Sequence, residues 1–453
     1  MNSNDISITK TRKDLSANAG LIFFNDLINR LHLEGSLGSI LPLKLRNKGL
    51  ASKQKFITGM LAFISGADCI DDLHCLTIDP FFSKLTNGSL APSTMRKFIH
   101  SFRLKDTQKL QNTLPKVALS LRNKMFPKNN KIILCMDSTP HRQFSEYMEG
   151  VEFNYKNIKC LDSQNCFDQY GFCYGWDLRK GSTYSSNGTS EMLERILPKI
   201  SKGNEIYFRA DSAYSNLTIY NTLLTHNVKF AICMKENSWG KLVDDYEFSM
   251  QWKKTRIQFF ESTKCQIASC LAPIKDLHGR SFLRVVFIRT KKSKEQIKKE
   301  KEEKGSTKKI RHYRYYAIVT NISEVEMTNG DIIQFYRKRA NVENHIKDLK
   351  YGMDFLHFPC RSLRANCVWG LMGIFAYNLM RFSSFVLCPN QGCFLKKVRN
   401  NMVKLPCEIT KHARKITLKF THHIFKEVQR IQKEIHMFFQ VVDYCPERRI
   451  HSG

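Results

Sequence analysis

The spacing of apolar residues along the chain indicates helices in some parts and buried strands in others. Before residue 130, Met95, Phe98 and Ile99 recur at helical spacing behind Ser93, which we predict as the N-cap. The short apolar run Lys131–Met136 is instead typical of a buried strand, and similar runs alternate with predicted helices after it. This alternation predicts a mixed α/β fold.

The same pattern divides the chain into five predicted regions. They are a helical region at 1–130, an α/β region at 131–237, a strand-rich region at 238–328, a second α/β region at 329–386 and a helical region at 387–453. Because the α/β pattern resumes after the strand-rich region, we interpret that region as an insertion. Its predicted strands cover Arg256–Glu261, Gln266–Ala272, Phe282–Thr290 and Tyr313–Asn321. The lysine-rich stretch 291–311 within it is either a solvated tip or a finger that contacts phosphate groups.

The net charge of the chain indicates which classes of molecule it binds. The chain has 453 residues with 72 Lys+Arg and 41 Asp+Glu, so its formal net charge is +31. A compact fold with this charge repels itself unless a polyanion neutralises it, which makes nucleic acid the leading partner and an anionic membrane surface the second. The longest apolar run, Cys367–Tyr377, is shorter than the ~20 residues that cross a bilayer, and the N-terminus lacks the features of a signal peptide. We therefore expect a cytoplasmic protein with no membrane partner.

Two aspartates stand where predicted strands end. Asp137 follows the run Lys131–Met136, and Asp211 follows the predicted strand Glu205–Ala210. A carboxylate at the carboxyl end of a buried strand lies at the edge of a sheet, where a ligand can reach it. Aspartates also open turns, so a purely structural role for both residues stays open at this point.

A third acidic residue, Glu343, belongs to a predicted helix that begins near Asp331 and runs towards Lys350. At about 100° per residue, Tyr336, Arg339, Glu343 and Lys350 fall within about 60° of one another on this helix. A neighbouring stripe is apolar and consists of Phe335, Val342, Ile346 and Leu349. Surface ion pairs would explain the charged residues of the first stripe, but they would not explain its tyrosine.

Three acidic groups in one place need a cation, because their mutual repulsion is otherwise strongly unfavourable. Carboxylate oxygens suit Mg²⁺, with Mn²⁺ as a substitute. Two such ions about 3.5–4 Å apart can activate a water molecule and stabilise the leaving 3′ oxygen of a phosphodiester. Tyr336, Arg339 and Lys350 would then donate hydrogen bonds to phosphate groups. The acidic residues and the net charge both indicate DNA or RNA as the substrate.

Three segments of the chain, which contain these acidic residues, resemble a known family. The motif Tyr336-x2-Arg339-x3-Glu343-x6-Lys350 is similar to the Y-R-E-K signature of bacterial insertion-sequence transposases. Met136-Asp-Ser-Thr-Pro140 resembles the first catalytic block of that group, and Arg209-Ala-Asp-Ser-Ala-Tyr214 resembles the second. Segments that begin at Asp168 and Asp177 also look like parts of the family, and the resemblance extends from about residue 20 to 385.

The resemblance implies an RNase H-like catalytic domain with a metal-binding triad and two Mg²⁺ ions. Carried over by motif, the catalytic and metal-binding residues are Asp137, Asp211 and Glu343, and the DNA-binding residues are Tyr336, Arg339 and Lys350. It further implies an N-terminal region that binds terminal inverted repeats, cut-and-paste transposition of double-stranded DNA, and a homodimer in the synaptic complex. Some members form a hairpin intermediate, in which a flipped base stacks on an aromatic residue. Trp239 or Trp252 could provide that surface, although packing explains each of them as well.

Two other functions remain open on the sequence. A catalytically idle or domesticated member of the same fold would bind DNA through its basic helices and leave the triad unused. A hydrolase with paired carboxylates, such as a glycosidase, could use Asp137 and Glu343, but it would not account for the charge or for the Arg and Lys of the stripe.

Overall fold

The computed structural model of the chain describes residues 7–43, 49–88, 90–259, 264–304, 310–413 and 415–440. The helices are α1 (Leu21–Arg30), α2 (Leu33–Gly38), α3 (Ser52–Ser65), α4 (Asp72–Ile78), α5 (Pro80–Leu85), α6 (Pro92–His100), α7 (Leu104–Met125), α8 (Thr189–Ile200), α9 (Leu217–Thr225), α10 (Glu236–Tyr246), α11 (Lys294–Lys304), α12 (Asn329–Arg337), α13 (Asn341–Gly352), α14 (Leu363–Leu387), α15 (Leu395–Val398) and α16 (His422–Gln440). The strands are β1 (Asp14–Ser16), β2 (Lys131–Arg142), β3 (Glu152–Phe153), β4 (Lys159–Phe167), β5 (Cys173–Lys180), β6 (Glu205–Ala210), β7 (Lys229–Cys233), β8 (Lys253–Thr255), β9 (Cys265–Pro273), β10 (Phe282–Lys291), β11 (Tyr313–Thr320), β12 (Cys407–His412) and β13 (Lys415–Lys419).

Ten of these strands form one mixed sheet. Its order is β3-β4-β2-β6-β7-β11-β10-β9-β8, and β5 also pairs with β4. The pairs β2–β6 and β6–β7 are parallel, while the other neighbours are antiparallel. The strands β8 to β11 come from the predicted insertion and extend the sheet beyond β7. This arrangement confirms the predicted mixed α/β fold with a strand-rich insertion and helical ends.

Two strands differ from the predicted pattern, each for its own reason. β2 does not end at Met136 but continues to Arg142, because β4 still pairs with it beyond the end of its pairing with β6. β4 itself was not predicted, since polar residues 162–165 occupy its buried centre. Hydrogen bonds satisfy such a strand internally, and the spacing of apolar residues cannot reveal it.

Other boundaries shift for local reasons. α6 begins at Pro92 with Ala91 as its N-cap, so the predicted cap at Ser93 is wrong; proline suits the first position of a helix because its missing N–H would have no partner there. The strand predicted at Arg256–Glu261 lies earlier, at β8, and residues 260–263 are outside the described part of the chain. α10 opens the insertion with a helix that the sequence pattern did not indicate.

The long helix α14, which contains the apolar run Cys367–Tyr377, forms the centre of the core. Residues of α3, α6 and α7 pack on it, and a Cβ atom at Gly370 would lie 2.2 Å from the ring of Trp176 on β5. In the described residues, α14 is also the one helix long and apolar enough to cross a membrane, but 94% of its most apolar window is buried inside the fold. Its apolar character is therefore explained by packing.

Strands from the N-terminal and C-terminal regions form a second, three-stranded sheet. β1 pairs with β12, and β12 pairs with β13, so the C-terminal region contains a hairpin in addition to its predicted helices. The carboxylate of Asp79, at the start of α5, accepts hydrogen bonds from Ser16 and Asn18 near β1. One hydrophobic core reaches from Ala19 to Ile435, so the five predicted regions share a core and their boundaries stay predictions from the sequence.

Candidate active site

The two aspartates lie side by side because β2 and β6 are parallel and in register. Cys135 is paired with Arg209, and Asp137 and Asp211 each follow two residues later. Oδ1 of Asp137 accepts a hydrogen bond from the backbone N–H of Ser138 at 2.9 Å. Oδ1 of Asp211 accepts one from the N–H of Ala213 at 2.9 Å, which caps a short 3₁₀ turn. Each carboxylate therefore uses one oxygen for the local backbone and keeps Oδ2 for another partner.

That partner is Arg339. Its Nη2 donates hydrogen bonds to Oδ2 of Asp137 and to Oδ2 of Asp211, both at 3.2 Å. The side chains of Arg339 and Asp137 are 14% and 18% exposed, while that of Asp211 is 38% exposed. Arg339 belongs to a 3₁₀ turn, Lys338–Ala340, which separates α12 from α13. The helix predicted from Asp331 to Lys350 is therefore interrupted at the residue that contacts both acids.

The electrostatics of Asp137 show how closely the charged groups are grouped. Burial raises the pKa of Asp137 to about 6; Arg339 opposes the shift, whereas Asp211 and Glu343 add to it. A carboxylate surrounded by other acids binds a proton more tightly because its charged form is disfavoured. The site therefore favours a positively charged partner for its acidic groups.

Glu343 lies near the aspartates without joining them. It stands in the first turn of α13 with an exposed side chain, and it is close enough to raise the pKa of Asp137. The carboxylate oxygens of Asp137, Asp211 and Glu343 do not all come within 4.8 Å of one another in the described structure. The structure thus brings two of the three predicted metal ligands together and places the third beside them.

The two remaining residues of the predicted stripe have partners inside the protein. Tyr336 is 8% exposed, and its hydroxyl accepts a hydrogen bond from the hydroxyl of Tyr316 at 3.0 Å. Lys350 donates from Nζ to the carbonyl oxygen of Pro140, in the part of β2 that lies beyond Asp137. The stripe is therefore not one continuous DNA-facing surface, and the direct DNA contacts of these two residues stay predictions.

A buried polar layer that the sequence did not reveal supports the site from β4. Asn165 donates from Nδ2 to the carbonyl oxygen of Asp137 at 3.3 Å. His141 is buried between the carbonyl oxygen of Phe355 and the hydroxyl of Ser163, and burial lowers the pKa of this imidazole to about 3. A neutral histidine and an amide hold β2 against β4 without adding charge near the acids. The sequence pattern did not predict the structural roles of Asn165 and Ser163, because buried polar residues on a strand do not produce an alternation of apolar and polar positions.

The donor set of the two aspartates fits a divalent ion. Both present an unshared carboxylate oxygen to one positively charged group, and hard oxygen donors suit Mg²⁺ or Mn²⁺. A tighter group of three possible ligands lies elsewhere in the described residues, at Asp68, Cys69 and Asp72. There, Oδ2 of Asp72 already accepts the backbone N–H groups of Asp68 and Cys69, which is a structural role at the start of α4.

Both tryptophans of the insertion have packing partners. Trp239 lies 5.7 Å from the ring of Tyr315, measured between ring centroids. Trp252 donates from its indole N–H to the carbonyl oxygen of Glu247 at 3.2 Å, and the guanidinium of Arg289 lies 3.7 Å from its ring centroid. These contacts account for both residues, and stacking on a flipped base stays a prediction.

Comparison with known protein families agrees with the fold. A family model described as transposase DDE domain group 1 matches residues 1–435. No curated protein matches the chain at a significant level.

Proposed function

The chain belongs to the transposase DDE domain group 1 family, and from this membership we propose that Asp137, Asp211 and Glu343 are its acidic triad. A DDE transposase is a metal-dependent enzyme that cuts DNA, so DNA is the substrate class. The observation that carries the residue assignment is the convergence of Asp137 and Asp211 on one cationic group from adjacent parallel strands. Membership of the Y-R-E-K group is part of the proposal and rests on the motif.

In the proposed reaction, the chain's own residues bind and orient the scissile phosphate. Asp137 and Asp211 supply carboxylate oxygens, and Glu343 supplies a third when its exposed side chain turns towards them. When held by these carboxylates, two Mg²⁺ ions, with Mn²⁺ as a substitute, would supply the charge that activates a water molecule and stabilises the leaving 3′ oxygen. Arg339 donates hydrogen bonds to a phosphate beside the cut, because a guanidinium matches the geometry of phosphate oxygens.

Recognition of the DNA ends is assigned to residues 1–130. The exposed side chains of Lys97, His100 and Arg103 lie in and just after α6, whose other face packs on α3 and α14. An exposed basic face on a firmly packed helix suits contact with a DNA duplex. We propose that this region binds terminal inverted repeats, that a homodimer joins the two ends, and that cut-and-paste transposition follows in the cytoplasm of a bacterial cell.

The test of the triad separates cleavage from binding. Asp137→Asn, Asp211→Asn and Glu343→Gln remove one carboxylate each and keep the side-chain size. With Mg²⁺ and DNA that carries the terminal repeats, we expect each variant to lose strand cleavage and to keep its affinity for DNA. Glu191→Gln, which changes an exposed carboxylate on α8, is the matched control and should cleave normally.

Normal cleavage by any one of the three variants would remove that residue from the triad. A native protein that binds DNA with high affinity but neither cleaves it nor binds Mn²⁺ would instead favour the idle DNA-binding member of the family. A salt series on the affinity separates both from a glycosidase-like hydrolase, because binding to phosphate groups weakens steeply as salt increases.

A further inference from the structure

Arg339 occupies the point on which Asp137 and Asp211 converge. A single nitrogen, Nη2, contacts Oδ2 of both aspartates at 3.2 Å. An Mg²⁺ ion shared by the same two oxygens would lie about 2.0–2.1 Å from each of them. It cannot bind there while Nη2 stays between the carboxylates, so the guanidinium and a divalent ion compete for one position.

Among the residues that the structure describes, the side chain of Arg339 forms hydrogen bonds with these two carboxylates alone. Its Nε is buried and has no hydrogen-bond partner in the described structure. Arg179 provides the contrast, since it pairs with Asp162 and also donates to the backbone oxygens of Ser185 and Asn187. Arg179 therefore has backbone acceptors in addition to its carboxylate partner, whereas the hydrogen bonds of Arg339 in the described residues go to side-chain carboxylates.

The backbone that carries Arg339 is not a continuous helix. The 3₁₀ turn Lys338–Ala340 interrupts the helix that carries it, and a cavity of about 640 Å³ opens beside this turn. Phe335, Lys338 and Asn341 line that side of the cavity. A short 3₁₀ segment within a helix often marks a point of bending.

We propose that Arg339 excludes the divalent ion until a DNA phosphate binds its guanidinium and draws it off the two aspartates. This inference rests on the proposed function of the site, and it makes Arg339 a positioning residue for metal loading as well as a phosphate contact. The phosphate offers paired oxygens that can use the unpartnered Nε together with Nη2. DNA binding then raises the affinity for the metal, and by linkage the metal raises the affinity for DNA.

Binding of Mn²⁺, followed by electron paramagnetic resonance on the full chain after treatment with chelator, tests the proposal. Without DNA, we expect Arg339→Gln to bind Mn²⁺ about tenfold more tightly than the native protein, because the competing cation is gone and this is a usual size for coupling between sites. A duplex oligonucleotide should increase the affinity of the native protein by a similar factor and leave that of Arg339→Gln unchanged. Arg339→Lys keeps the charge and should resemble the native protein.

Two further variants make the result decisive. Lys338→Gln removes a positive charge from the same turn, but its exposed side chain does not touch the aspartates, so its Mn²⁺ affinity should stay native. Asp137→Asn should lose Mn²⁺ binding.

If Asp137→Asn loses binding while Arg339→Gln binds no more tightly than the native protein, the inference is overturned and the proposed metal site stands. If Asp137→Asn binds Mn²⁺ normally, the metal site itself is wrong and the inference falls with it. Circular dichroism confirms that each variant is folded.

Discussion

Lys350 donates a hydrogen bond from Nζ to the carbonyl oxygen of Pro140 at 2.8 Å and so joins α13 to the outer half of β2. Burial lowers the pKa of this lysine, although Asp162 and Cys160 oppose the shift. The residue predicted to contact DNA thus holds the Glu343 helix against the strand of Asp137. Experiments can therefore separate its structural contact with Pro140 from its predicted contact with DNA.

Replacement of Lys350 should therefore change stability as well as DNA handling. Lys350→Met keeps the aliphatic stem and removes the donor, and we expect the free energy of unfolding to fall by about 1–2 kcal/mol because a carbonyl oxygen loses its charged partner. Urea denaturation followed by circular dichroism measures the change. Lys347→Met, at an exposed position of α13, is the control. Equal stability of both variants would show that the contact with Pro140 contributes nothing.

Tyr336 allows a similar separation. Tyr336→Phe and Tyr316→Phe each remove the same hydroxyl–hydroxyl hydrogen bond, so both should lower the free energy of unfolding by about 1 kcal/mol. If the Tyr336 hydroxyl also contacts a phosphate, only Tyr336→Phe should reduce the rate of end cleavage. Parallel assays of unfolding and cleavage on the two variants measure this. Equal cleavage rates would restrict Tyr336 to a structural role.

Asp168 should make stability depend on pH. Burial raises its pKa to about 6, with hydrogen bonds from Phe172 and Tyr170 and the charges of Arg122 and Arg381 opposing the shift. Between its unfolded pKa and pH 6 the folded state binds more protons than the unfolded state, so stability falls as pH rises through this window.

Asp168→Asn removes the ionisable group and with it this pH dependence of stability. The variant should gain roughly 2–3 kcal/mol relative to the native protein on going from pH 4 to pH 7, as expected for a shift of about two pKa units. Urea denaturation at the two pH values provides the measurement. Glu191→Gln changes an exposed residue, so its free energy of unfolding should differ from that of the native protein by the same amount at both pH values. If the difference in free energy of unfolding between Asp168→Asn and the native protein is also independent of pH, the raised pKa of Asp168 is wrong.

The basic face of α6 should contribute directly to DNA affinity. Replacing Lys97 and Arg103 by Gln removes two exposed charges, and we expect the slope of log K against log salt to become shallower by about 1.8 units, since each lost phosphate contact accounts for about 0.9. A duplex-binding titration at several salt concentrations measures the slope. The same change at Lys426, an exposed residue of α16, should leave it unaltered.

The lysine-rich helix α11 provides a fifth test. Lys294, Lys298 and Lys301 recur at i, i+4 and i+7, are exposed, and form one stripe on a helix that extends from the hairpin of β10 and β11. If this stripe contacts phosphate groups, the triple change to Gln should reduce the salt slope by roughly 2–3 units without changing cleavage of bound DNA. Replacement of Glu295 and Glu302 by Gln, which removes two negative charges from the same helix, serves as the control for the fold of the helix. An unchanged slope in the triple variant would identify α11 as a solvated tip.

The predictable parts of the site were those with a short-range signal. An acid after an apolar run marks the end of a buried strand, so Asp137 and Asp211 could be located one strand at a time. The position of Glu343 followed from helical spacing, but the 3₁₀ turn at Lys338–Ala340 changes the angles after it, and no local pattern marks that turn. The buried row of β4 was missed because its polar residues find their partners on other elements.

The amino-acid order by itself determined the mixed α/β pattern, the excess of positive charge, and the three acidic residues with their neighbouring Arg and Lys. Periodicity, charge and motif spacing are properties of the linear chain, and they need no knowledge of what packs beside what. Only the tertiary structure decided that Arg339 bridges two carboxylates, that Glu343 stands beside them, and that Tyr336 and Lys350 have protein partners. The physical reason is that contacts between different strands and helices depend on strand register and on where a helix is interrupted, and local sequence patterns do not encode either.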